Sequence, residues 1–234
     1  LSHRAGLQPN IPMSSLGNYS YGALPDARVE RLKYAGEALA QALVGPLAAQ
    51  MVYSNNGYIV AGAMLEAVTG KPWEDLIQTW VFAPLKLSSA GFGPPGQPGA
   101  LSQPVGHSVS GNKRIPQPSG DNPAALGPAG RVHMALRDMI AYLAAHRDQP
   151  SSFLNAKSWE TLHTPPFGGD YALGWVVRPD GTLWHNGSNT VWYGEILVDK
   201  KAGVVCTAVG NDGAPETQAA VAQALFSARA AALA

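Results

Sequence analysis

The chain has 234 residues, 46% of them apolar and 14% charged, which is enough for a folded core and excludes a disordered polymer. Lys+Arg and Asp+Glu both number 16, so no net charge favours nucleic acid or an anionic membrane surface. Polar residues interrupt every apolar stretch before the ~18 positions that a bilayer span needs. The single Cys206 excludes an intrachain disulfide and suits either the cytoplasm or a disulfide-free exported protein.

The first helix is expected over 27–44. Val29, Leu32, Gly36, Leu39 and Leu43 recur three and four apart as its buried stripe, with Asp26 as N-cap after Pro25. A second helix is expected over 56–69, with Ile59, Val60, Ala63, Met64, Ala67 and Val68 as its apolar face and Gly70 as its stop. A third follows with Pro72 in its first turn and a stripe of Trp73, Leu76, Ile77, Trp80 and Val81. From 91 to 130, Gly, Pro, Ser and Asn dominate, which predicts irregular structure with a short strand near 105–109. A helix is expected over 131–146, facing inward through Leu136, Ile140 and Leu143. Strands are expected at 171–177, 182–185, 195–198 and 204–209, joined by Pro179-Asp180-Gly181 and Lys200-Lys201-Ala202-Gly203 into an antiparallel meander. Pro215 starts a terminal Ala-rich helix with Val221, Leu225 and Phe226 inward. Helices, then strands, then one helix give an α+β class, an antiparallel sheet flanked by helices. The division expected is a mostly helical domain over 1–165 and a strand-rich domain over 166–234.

Two short motifs bear chemistry. Tyr53-Ser54-Asn55 opens the second helix, and His185-Asn186-Gly187-Ser188 ends a strand. A phenol at a loop-to-helix junction points into a cleft, and Asn55 offers a donor and an acceptor. An Asn that merely caps the helix, beside a packed Tyr53, is the plainer alternative. A strand-end histidine can bind a carboxylate or tune a hydroxyl, and Gly187 lets a substrate approach the backbone. A strand-end turn with a surface His185 is the plainer alternative there. No metal site is expected, because the six histidines are scattered and no H-E-x-x-H pair exists. Gly106-His107-Ser108-Val109-Ser110 lacks the final glycine of a nucleophile elbow, and no helix can follow it into Gly111 and Pro116.

The ordered set of motifs resembles the class C β-lactamase-like and penicillin-binding-protein-like serine hydrolases. Leu1-Ser2-His3-Arg4-Ala5-Gly6-Leu7 resembles their L-S-H-x-x-G-L segment. Tyr53-Ser54-Asn55-Asn56-Gly57-Tyr58, followed by Thr69-Gly70, is similar to their Y-S-N-x-G-Y helix and its stop. Phe82-Ala83-Pro84-Leu85 matches their F-x-P-L turn, with Lys86 where Gly is usual. Gly127-Pro128-Ala129-Gly130 with Asp138-Met139 resembles the segment opening their next helix, and Tyr171-Ala172-Leu173-Gly174-Trp175 their Y-x-L-G-W strand. His185-Asn186-Gly187 falls where they carry K-T-G or H-x-G.

The resemblance implies a β-lactamase/transpeptidase-like fold and acyl transfer through a serine ester, without a cofactor. Tyr53 would be the general base or proton relay, and its phenol pKa of ~10 would have to fall under nearby cations. Asn55 would hold a lysine and touch a substrate amide. His185 would replace the lysine of K-T-G, Asn186 and Gly187 would line the substrate, and the Ser188 N–H would form half of an oxyanion hole. The substrate would be an ester, a β-lactam or a D-amino-acid peptide, and the compartment periplasmic or extracellular.

The expected nucleophile, a serine three residues before a lysine on one helix face, does not precede the tyrosine motif. Ser110-Gly111-Asn112-Lys113 has the spacing but sits in a Gly/Pro-rich loop after that motif. The nucleophile is therefore expected on a segment before Leu1, cleaved, separate or carried by the chain's own N-terminal fragment as a partner. A binding or regulatory module that kept the fold and lost the serine is the alternative.

Overall fold

The computed structural model describes residues 1–96, 99–100 and 102–234. Gln97, Pro98 and Leu101, part of the expected irregular stretch, lie outside the described residues. In chain order the helical half comprises α1 (Met13–Leu16), α2 (Arg28–Ala40), α3 (Asn55–Thr69) and α4 (Trp73–Ile77), which continues as a π-helical turn over Gln78–Phe82. The connecting stretch holds β1 (Gly91–Phe92), β2 (His107–Ser110), β3 (Lys113–Pro116), a 3-10 turn over Ala124–Leu126, α5 (Gly127–Gly130) and β4 (Val132–His133). Then come α6 (Leu136–Asp148), α7 (Ala156–His163), β5 (Val176–Val177), β6 (Leu183–Ser188), β7 (Tyr193–Asp199), β8 (Val204–Gly210) and α8 (Pro215–Ala232).

Strands β5 to β8 form one antiparallel sheet in chain order, the expected meander. Its two faces follow from side-chain alternation. Leu183 and Val198 face α6, where Leu143, Ala172 and Trp175 complete a buried cluster. Leu197 and Cys206 face the other way and pack on Leu225 of α8. The sheet thus lies between α6 and α8, and the mixed helix-and-sheet class is the one expected. A separate cluster of Ile11, Tyr19, Tyr34, Ala38, Ile59 and Ala125 holds α2 and α3 together.

Several boundaries and faces differ from expectation. Helix α2 buries Arg31, Tyr34, Ala35 and Ala38, while the anticipated stripe faces water, with Val29 81% and Leu32 69% exposed. The cause is a charge pairing made by tertiary contact: the Arg31 guanidinium, fully buried, binds Glu66 of α3 and Glu74 of α4 and crosses the Trp73 ring. Helix α3 likewise turns Asn56, Ile59, Gly62 and Glu66 inward and leaves Met64 and Val68 exposed. Tyr34 donates its hydroxyl to Asn56 at 3.1 Å, and a Cβ at Gly62 would stand 2.4 Å from Pro128 Cγ, so this face must meet its neighbours. Trp80 is exposed rather than part of a buried stripe.

Helix α6 begins at Leu136, five residues later than expected, because Val132 and His133 pair with β1. Leu136 and Ile140 are exposed, and only Leu143 of that trio is buried. Helix α7, capped by Asn155, falls where no element is expected. Much of 171–177 is not regular strand: β5 spans two residues, with Tyr171 bridging to Val176. Gly70 ends α3 with φ +68°, as expected. Lys86 has φ +56°, a left-handed conformation that costs glycine nothing, which accounts for glycine at that position in the resembled family.

Candidate active site

Ser54 is the N-cap of α3, and its Oγ accepts the Gly57 N–H at 3.2 Å and donates to Gln8 O at 2.7 Å. The cap is thus neither Asn55 nor Asn56. Tyr53 stands one residue before the cap, half-exposed. Asn55 donates its side-chain amide to Asn10 Oδ1 at 2.9 Å.

The Tyr53 ring lies against His3, centroids 4.1 Å apart, and meets the Tyr171 ring edge-on at 6.5 Å. The Tyr171 ring lies 6.5 Å from that of His185. Tyr53 and His185, far apart in sequence, thereby converge on Tyr171. His3, Tyr58 and Tyr171 complete the cluster; sequence reasoning placed all three in motifs and gave none of them a role. Their signal was an aromatic ring with a polar tip inside each of three motifs of the resembled pattern.

Strand β6 presents its motif on two faces. His185 pairs across the ladder with Ile196, which packs on the α6 side. Asn186 points to the opposite face and donates to the Tyr193 hydroxyl at 2.8 Å, which donates in turn to Glu195 at 2.8 Å. Ser188 shares that face, and its Oγ donates to Trp192 O at 2.7 Å. So His185 and Gly187 face the aromatic cluster, while Asn186 and Ser188 contribute there only through their backbone. Nothing stands within 4 Å of a Cβ built at Gly187. Strand β5 pairs only with Leu183 and Trp184, so the outer edge of β6 from His185 to Ser188 has no ladder partner among the described residues. Free N–H and C=O groups line an open strip beside Tyr171 and His185.

The electrostatics of this wall are those of neutral groups. Burial raises the Tyr53 phenol, the reverse of the expected depression, because its neighbours are uncharged aromatics rather than cations. Burial pushes Tyr58 up to about 12, and burial also raises Tyr171. Burial lowers His185, and burial is the main cause that lowers His3 to about 4. Both imidazoles are neutral near pH 7.

Ser110 and Lys113 face each other across the β2–β3 hairpin, where Gly111 turns with φ +57°. They pair as strand residues and share no helix face. No helix among the described residues is long and apolar enough to cross a membrane.

Residues 1–230 match the protein-family profile described as Beta-lactamase. PbpX of Bacillus subtilis (strain 168), named as a penicillin-binding protein, is 28% identical over 127 residues, which cover 54% of this chain and 32% of that protein. The aligned part thus spans about a third of that relative's length. The penicillin-binding protein of Bacillus halodurans superposes with a TM-score of 0.74 at 17% identity, covering 96% of this chain and 70% of that one. The D-amino acid amidase of Ochrobactrum anthropi SV3, in a structure with L-phenylalanine, gives 0.70 at 19% identity over 97% and 71%. With a family match running from the Leu1 motif through the α8 helix, and a fold shared with those structures, the chain belongs to the beta-lactamase family.

Proposed function

We propose that this chain supplies one wall of a serine-hydrolase site that works through an acyl-enzyme on an uncharged ester or amide, with the nucleophile carried by a segment outside these 234 residues. The observation that carries the reading is the convergence of Tyr53 and His185 on Tyr171, 6.5 Å from each, beside the unpaired edge of β6. A substrate laid along that edge bonds to backbone groups and meets no side chain at Gly187. The Ser188 N–H and the nucleophile's own N–H would share the developing oxyanion. Tyr53, a neutral phenol with a raised pKa, suits proton donation to the leaving group or a concerted relay better than a standing phenolate.

The charge of the wall argues for the substrate class. A lysine in the place of His185 would hold a fixed cation against a substrate carboxylate, and neutral His185 holds none. Esters and amides without a carboxylate at that end, the D-amino-acid amides named for one structural neighbour among them, fit better than β-lactams. The test is hydrolysis by the chain alone and by the protein bearing its natural upstream sequence, with a short-chain nitrophenyl ester, a D-amino-acid amide and a chromogenic cephalosporin. Turnover of ester or amide by the longer protein, with none by the 234-residue chain, supports the reading. Inactivity of the longer protein on all three overturns it.

A further inference from the structure

We propose that His3 is the positioning residue of this site, clamping Tyr53 and orienting the Tyr171 hydroxyl; this rests on the hydrolase reading above. His3 grips Tyr53 from three directions. Its carbonyl accepts the Val52 N–H at 2.9 Å, its Nδ1 accepts the Ser54 N–H at 2.9 Å, and its ring lies against the Tyr53 ring, tilted by 30°. The two backbone bonds bracket Tyr53 on either side, so its backbone cannot move without breaking one of them. The ring contact then limits the side chain, whose own hydroxyl makes no hydrogen bond among the described residues. Tyr53 is thus held by everything except its reactive atom.

The same ring fixes a proton. An Nδ1 that accepts a backbone N–H leaves the hydrogen of neutral imidazole on Nε2. Nε2 lies 3.0 Å from the Tyr171 hydroxyl, so His3 donates there and Tyr171 must turn its own hydrogen elsewhere. Tyr58 sits beside the same imidazole, ring centroids 5.2 Å apart, and donates its hydroxyl to Leu1 O at 2.9 Å. His3 thereby fixes the direction of its bond to Tyr171 and occupies one lone pair of the Tyr171 hydroxyl. His3 takes φ +55°, which a histidine adopts rarely, and is 6% exposed. That conformation lets its carbonyl and its ring reach the same three-residue segment, so the strain has a positional purpose.

Two isosteres separate the grips. His3→Asn tolerates the positive φ, and its amide oxygen replaces Nδ1 toward Ser54 but cannot reach Tyr171. His3→Gln places an amide N–H where Nε2 stood and gives up the Ser54 bond. In isotope-labelled chain, long-range nitrogen spectra should show His3 protonated on Nε2 alone from about pH 5.5 to about 8.5. The Tyr171 ring signals should shift in His3→Asn and return toward wild type in His3→Gln, while those of Tyr53 shift in both and those of buried Trp159 stay fixed. A His3 that titrates inside that range, or Tyr53 signals unmoved in both variants, overturns the proposal. In the longer protein, His3→Asn should lower ester kcat about tenfold with KM within about twofold. A fall in both parameters together would mark a merely structural role and overturn it. The spectra need no turnover, so they decide the His3 claim even if the longer protein proves inactive and the hydrolase reading falls.

Discussion

His146 Nδ1 lies 2.9 Å from His163 Nε2, joining α6 to α7 through two buried imidazoles. Gln149 donates its amide to His163 Nδ1 at 3.1 Å, so His163 carries its hydrogen on Nε2 and donates it to His146. The rings of Trp175 and Trp159 stand 4.9 and 5.3 Å from that of His146. Among the described residues, Lys200 is a charged group that acts on both. Burial first, then the partner histidine and Lys200, lower His146 to about 3, and burial followed by Lys200 lowers His163 to about 4.

The sign of the pH dependence follows. Below ~6.5 the unfolded chain binds protons that these folded imidazoles refuse, so acid favours unfolding. Stability contributed by neutral burial is full above ~6.5 and falls by up to ~1.4 kcal/mol per pH unit per histidine below it. The loss levels off near pH 4 for His163 and near pH 3 for His146. Urea midpoints from about pH 7.5 to about 4.5 should fall, and His163→Gln should flatten the slope. An unchanged slope in that variant would place the acid sensitivity elsewhere.

Arg31 is a second point of strong dependence. Arg31→Met leaves Glu66 buried without its cation and should destabilise the chain by ~3–5 kcal/mol. Burial already raises the Glu66 carboxyl, so an uncharged partner there is tolerated better than an orphaned charge. Arg31→Met with Glu66→Gln should therefore be more stable than Arg31→Met alone, as a double-mutant cycle in urea measures.

Ser54 caps α3 and ties it to Gln8. Ser54→Ala should cost ~1 kcal/mol for the cap, lowering Tm by ~2–4 °C, with a further decrement for the tie to Gln8. Calorimetry that finds no loss would show that the cap is replaced by water at no cost.

Tyr53→Phe removes only the hydroxyl and keeps the ring on His3. In the longer protein it should lower kcat for an ester by ~10²-fold with KM little changed, since proton transfer typically contributes that much. His185→Lys should restore a cation at the β6 edge and tighten binding of a carboxylate-bearing substrate by about tenfold over its neutral amide. Steady-state kinetics with matched acid and amide substrates decides both.

The order of motifs from Leu1 to Gly187 carried the family and the mechanism it implies, because each motif holds short-range features that survive in any context. Gly70 reads as a helix stop, Pro179-Asp180-Gly181 as a turn, and the β-rich run 195–198 as a strand, each from local backbone chemistry. That Ser110 and Lys113 share no helix was legible for the same reason, since Gly111-Asn112, with Pro116 and Pro118 close behind, favours a turn over the helix their pairing would need. Faces were less legible. Periodicity shows that a helix has two sides, and α2 is apolar on the side that stays in water. Its buried side is chosen by Glu66 and Glu74, which lie far along the chain and neutralise Arg31. The site shows the same division. The sequence by itself determined that Tyr53 and His185 belong to one ordered pattern. Only the tertiary structure decided that they meet across Tyr171, that His3 grips the first of them, and that strand alternation turns Asn186 away. Such relations depend on contacts between distant segments, and no local rule of spacing or propensity contains them.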